Sequence, residues 1–214
     1  VSDEAGSRAV GIICLIGFLM GVIIAFETAL VAQIFGAVIF VVNGIGIAMT
    51  RELGPLMTAI LFAGRSGSAF AAQLGTQKVN EELNALTTFG LSPMYFLVVP
   101  RLIASSLVVP LLSVFATILG ILGGGLVMAM YDITYTQFYV QLLKSVTVTD
   151  IVFGLVKAVI FGFVIALIGC QCGMNTGAGA AAVGSSTTKS VVKSIIWIVV
   201  IDGAAALLTN RLGI

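Results

Sequence analysis

The stretch RELGPLMTAILFAGRSGSAFAAQLGTQKVNEELNALTTFGLSPMYFLVVPR, residues 51–101, decides the reading of this chain. Its first part, residues 53–74, is apolar and rich in small residues, and it matches the roughly 20 residues a helix needs to cross a bilayer. A charged amphipathic segment follows at once. Across residues 77–88, Val79, Leu83 and Leu86 fall at helical spacing on one side, and Lys78, Glu81 and Glu82 on the other. The pattern predicts a membrane span joined to a surface helix that offers a charged face to a partner, with Gln77, Lys78, Glu81, Glu82, Leu83 and Leu86 as its working residues.

Composition says what kind of protein carries this stretch. Of 214 residues, 59% are hydrophobic and 9% charged, against about 25% charged in a soluble domain. With a mean hydropathy of +1.19, the chain reads as an all-α integral membrane protein forming a single domain over residues 1–214. A net charge of +1 supplies no basic field for nucleic acid. Histidine is absent, which removes Ser-His catalysis, His-metal ligation and a His proton switch. Cys14, Cys170 and Cys172 all sit in apolar runs and read as small hydrophobes, so no metal or catalytic site is expected.

Outward from the central stretch, about five spans are expected. The first covers residues 11–34, with Gly17 and Gly21 in GxxxG spacing and Glu27 as its only charge. Residues 35–50, broken by Gly36, Asn43, Gly44 and Gly46, read as a short re-entrant or interfacial segment. In the second span, Gly64, Ser68, Ala71 and Gly75 form a small-residue stripe. A turn at GLSP leads into a third span from about Arg101 to Met130, which contains Pro110 and a glycine cluster at 120 and 123–125. Residues 131–150, with three tyrosines and Lys144, suit an interfacial helix. Spans four (151–172) and five (191–209) follow, separated by the small, polar stretch NTGAGAAAVGSSTTKS. Basic residues near the span ends favour a cytosolic N-terminus and a C-terminus outside.

Two charges interrupt apolar runs at membrane depth. Lys157 and Asp202 fall about 9 Å and about 12 Å in from the outer ends of spans four and five, at 1.5 Å per residue. Arg51 and Glu52 open span two from the same side, which predicts one polar cluster of Arg51, Glu52, Lys157 and Asp202. Such residues normally face a bundle interior and mark function. The alternatives are a purely structural ion pair, or a Lys157 that reaches outward along its alkyl stem.

Two near-motifs fail. VGSSTTKS (183–190) carries Val183 and Thr188 where a phosphate-binding loop needs glycine, and Gly177, Gly179 and Ala182 lack the strand-helix context of a dinucleotide site. The chain itself is therefore expected to bind no ATP. Ser66, Ser68 and Asp202 offer no base-activated nucleophile.

The quoted central stretch, with GLVKAVIFG around Lys157 and VVIDGAAALL around Asp202, closely resembles the MlaE family of ABC-transporter permeases of MCE-type lipid transport systems. GCQCGMNTGAGAAAVGSSTTKSVVKSIIWIVV looks most like the subfamily in which a STAS-like domain precedes the permease. The resemblance implies a symmetric homodimer, a cytosolic ABC ATPase that supplies ATP and Mg chemistry, an outer ring of MCE-domain protein, and a possible STAS-domain partner. It makes residues 77–88 the coupling helix, with Glu81 and Glu82 at the ATPase contact, and the four charges the family's intramembrane set. Phospholipid is expected between the two copies, with Phe26, Glu27, Leu30, Leu53 and Leu56 as candidate lining. The implied host is a bacterial inner membrane with the C-terminus periplasmic, or alternatively a chloroplast envelope. Two competing classes remain: an ion-coupled secondary transporter using Lys157 and Asp202 as a relay, and an inert scaffold.

Overall fold

The computed structural model describes residues 2–212 and contains seven helices and no strand among them. These are α1 (Ser2–Ile34), α2 (Val38–Val79), α3 (Glu82–Thr88), α4 (Met94–Ala129), α5 (Tyr135–Ser145), α6 (Val148–Met174) and α7 (Ala180–Leu212). Five of them, α1, α2, α4, α6 and α7, are long and apolar enough to cross a membrane. The chain is a multi-pass membrane protein. The bundle is built around α4 and α6, with α1 laid along α4, α2 against both, and α7 against α2 and α6.

Small residues set the spacing, because apolar side chains gain little by leaving lipid and close backbone approach must supply the attraction. The GxxxG pair of α1 lies against α4: a Cβ on Gly17 would come 2.6 Å from the Ala116 carbonyl oxygen, and one on Gly21 would overlap that of Gly120. Along α6, Gly162 and Gly169 would meet the carbonyl oxygens of Ser105 and Gly67 at 2.5 and 2.8 Å. Gly21→Val is therefore expected to destabilise the fold by about 3 kcal/mol, the upper end for overpacking, since the obstacle is backbone. Gly11→Val has open space and serves as the control. Thermal unfolding in detergent measures both, and equal midpoints would refute the packing assignment.

Three expectations change. Residues 35–50 are no re-entrant segment: after a turn at residues 35–37, helix begins at Val38 and runs on into span two. Two of the residues that seemed to break it, Asn43 and Gly46, are accommodated by α5 and the residue that follows it. Gln141 Nε2 donates to Asn43 Oδ1 at 2.8 Å, and Gly46 makes room for Leu142 and Val146. The resulting helix of 42 residues is about 63 Å long, roughly twice the hydrocarbon thickness. Second, only residues 175–179 form a linker before α7, whose alanine-rich start is already helical. Third, the small-residue stripe of span two is rotated: Ala71 and Gly75 are buried, but Gly64 is exposed, and Ser66 and Gly67 face the bundle. Expectations about Val1, Gly213 and Ile214 lie outside the described residues.

Three π-helical turns punctuate the long helices, at Met49–Leu53, Ala63–Gly67 and Met94–Val98. Such single turns widen the helix and re-aim side chains, and they occur often at functional sites. The first carries Arg51 and Glu52, the second Arg65. Thr117 Oγ1 donates to the Met49 carbonyl at 3.2 Å, satisfying an acceptor at the first of them.

Candidate functional site: a buried charge cluster and an exposed end helix

Lys157 is the most completely buried charge described, at 2% exposure, so it does not reach outward to water or headgroups. Its ammonium contacts the Glu52 carboxylate and lies 2.7 Å from Asp202 Oδ1. Helices α2, α6 and α7 thus each contribute one member of a triad. The three can meet because Gly154, one turn before Lys157, lets α6 press onto the Thr50 carbonyl, and because the π turn aims Glu52 inward. The two arms differ. Asp202 Oδ1 is buried and makes no aligned hydrogen bond, so its link to Lys157 is ionic, whereas Glu52 also makes a hydrogen bond.

Arg51 belongs to a neighbouring pair. Its Nη1 lies 3.2 Å from Oδ1 of Asp150, a residue the sequence reading left at the edge of the interfacial segment. Asp150 is fixed in turn by the capping box of α6: Thr147 donates to Asp150 Oδ2 from its backbone at 2.9 Å and from its hydroxyl at 2.6 Å. Phe153 joins the two groups, with Arg51 Cζ 5.4 Å and Lys157 Nζ 5.6 Å from its ring centre. The expected four-residue cluster is therefore a six-residue cluster of Asp150, Arg51, Phe153, Lys157, Glu52 and Asp202. A Thr-x-x-Asp capping signal was the available clue to Asp150; nothing in the sequence distinguished Phe153 from other apolar residues.

A serine stripe on α7 also went unread. Ser186, Ser190 and Ser194 are buried at four-residue intervals, and Ser190 Oγ donates to the Gly67 carbonyl at 3.3 Å, tying α7 to the second π turn. Arg101, expected near a span end, is buried in α4; it donates to Leu97 O at 2.9 Å and Gln73 Oε1 at 3.3 Å and lies over Phe70.

At the opposite end of the bundle, the predicted surface helix over 77–88 is not one piece. Gln77 and Lys78 complete α2, the helix breaks at Asn80 and Glu81, and α3 covers Glu82–Thr88 alone. Glu81 sits at φ +62°, a left-handed conformation uncommon for a non-glycine residue, and this sets the angle between the helices. Lys78 faces no partner: its Nζ donates to the Met174 carbonyl at 2.8 Å, capping the C-terminus of α6. Leu83 is buried and Leu86 half-buried, pinning α3 to the bundle, while Glu81, Glu82 and Asn84 are exposed and Glu81 and Asn84 contact each other.

The candidate lipid residues divide. Phe26, Glu27 and Leu30 are exposed on α1. Leu53 packs with the cluster around Val42 and Ile45, and Leu56 with the main core. None of the five lines a principal cavity of the single chain.

Spans, a buried charge cluster and small-residue packing together define a polytopic membrane protein. The Permease MlaE family model matches residues 2–208, and the chain belongs to this family. A probable ABC transporter permease protein of Rickettsia typhi is 34% identical over 197 residues, covering 91% of this chain and 76% of the relative. Its counterpart in a Synechocystis species is 36% identical over 197 residues, at 92% and 75% coverage. The chloroplastic protein trigalactosyldiacylglycerol 1 of Arabidopsis thaliana is 38% identical over 159 residues, at 74% and 45% coverage.

Proposed function

We propose that this permease is the membrane subunit of an ATP-driven phospholipid transporter of the MCE type, working as a homodimer and performing no covalent chemistry itself. The single observation that carries the reading is a membrane bundle of the MlaE permease family with a buried charge cluster near one end and a short exposed helix at the other. A cytosolic ABC ATPase binds α3 through Glu81, Glu82 and Asn84 and brings ATP and Mg; the MCE ring covers the α5 end. A STAS-domain protein is a further candidate partner.

ATPase closure pushes α3, and the push passes along α2, whose π turns hold Arg65 and then Arg51 and Glu52. Interfaces of this kind switch between discrete packings rather than deform smoothly. The ionic Asp202 arm of the cluster is the one positioned to open, releasing α7 from α2 and α6. Lipid then leaves the cleft between two copies, along the exposed Phe26, Glu27 and Leu30 face with Leu53 and Leu56 behind it. The setting is a bacterial inner membrane with the N-terminus cytosolic and the C-terminus periplasmic, a chloroplast envelope being the alternative.

Mass spectrometry of the intact complex extracted in mild detergent tests this. Co-purification of an ATPase subunit, an MCE protein and phospholipid is expected; a chain isolated alone that transports in response to an ion gradient would contradict it and favour the cluster as an ion path.

A further inference from the structure

The end of the bundle that carries α3 also holds a polar recess of about 200 Å³ between the C-terminus of α6 and the first turns of α7. It is lined by Gln171, Cys172, Asn175, Ser186, Lys189 and Lys193. We propose that this recess binds the phosphate of an anionic phospholipid headgroup, whether or not that lipid is cargo.

The lining suits a phosphate: two ammonium groups, two side-chain amides, one hydroxyl and one thiol, with no carboxylate. Ser186 is buried and held 2.9 Å from the Thr176 hydroxyl, so the floor of the recess is fixed. Lys189 and Lys193 are exposed, stand one helical turn apart, and make no ion pair among the described residues. Like charges at this spacing repel, and α7 bears that cost in the absence of an anion. A third ammonium, that of Lys78, lies at the Met174 carbonyl, adjacent in sequence to Asn175. A general excess of basic residues near span ends accounts for lysines at this level of the membrane, but not for their convergence on one acid-free recess.

Depth identifies the source of the phosphate. Lys193 is followed one turn later by the exposed Trp197, an aromatic of the kind that sits at headgroup level, and the next charge along α7 is Asp202 of the buried triad. The failed phosphate-loop likeness at residues 183–190 contains two of the lining residues, Ser186 and Lys189. Here they are helical, so side chains rather than a glycine-rich backbone make the contacts.

Native mass spectrometry of the assembled transporter, equilibrated with micelles of phosphatidylcholine alone or mixed with phosphatidylglycerol, counts retained lipid. Selective phosphatidylglycerol retention is expected, weakened about thirtyfold in K189Q/K193Q, as befits two lysines at an anionic surface. K189R/K193R should restore it, and K144Q, at the α5 end, should leave it unchanged. Retention indifferent to both lysines, or lowered equally by K144Q, would overturn the site. Calorimetric titration with inorganic phosphate supplies the second arm: binding lost in K189Q/K193Q would overturn the lipid assignment in favour of a free anion, and no binding supports it.

Discussion

Lys157→Met should abolish lipid transfer and lower the stability of the chain by about 3–5 kcal/mol, the cost of removing one partner from a buried ionic group. Methionine fills the space of the lysine stem, so the loss comes from leaving Glu52 and Asp202 facing each other without a cation. Replacing the whole triad separates stability from function. In E52Q/K157M/D202N no charge is stranded, and such neutral replacements of buried ion pairs are often neutral or stabilising. The triple variant should therefore fold about as well as the parent and still fail to transport. Unfolding in detergent and vesicle-based lipid transfer give the two readouts. Full transport by the triple variant would reduce the cluster to a structural device.

E81K/E82K should leave assembly of the bundle intact and cut ATP-dependent transport by at least about tenfold, the effect of losing roughly 1.4 kcal/mol at the proposed ATPase contact. Both side chains are exposed, and a lysine at position 81 faces the same left-handed backbone constraint as the glutamate. Charge thus changes while the angle between α2 and α3 is kept. K78M makes a useful contrast. Its ammonium caps α6 internally, so that variant should lose stability without a specific defect in ATPase coupling. ATPase assays with lipid transfer measured in parallel distinguish the two, and unchanged coupling in E81K/E82K would remove the role assigned to α3.

Much of this was legible in the residues because a bilayer simplifies the physics. Apolar runs of spanning length had to be helices, and Lys157 and Asp202, placed at matching depth by counting residues, had to find partners; they found each other. The failures have local causes. Asn43 and Gly46 looked like breakers because the residues that accommodate them, Gln141, Leu142 and Val146, lie almost a hundred positions away. Helical periodicity placed Lys78 on a partner-facing side of residues 77–88, yet one left-handed residue, Glu81, splits that segment and returns Lys78 to α6. Arg51 was grouped with Glu52, Lys157 and Asp202, but its carboxylate was missed because Asp150 opens α6 as a capping residue, a role invisible to hydropathy. The π turns that aim Arg51 and Glu52 leave no mark on composition.

The central claim is that this permease moves phospholipid only with energy delivered from outside the membrane through α3. Fluorescent lipid transfer from proteoliposomes tests it most directly, comparing the permease alone, with an ion gradient, and with the proposed ATPase and MCE partners plus ATP. Transfer in the complete, ATP-supplied system alone is the predicted result. Nucleotide hydrolysis by the isolated permease, or gradient-driven transfer without a partner, would contradict it.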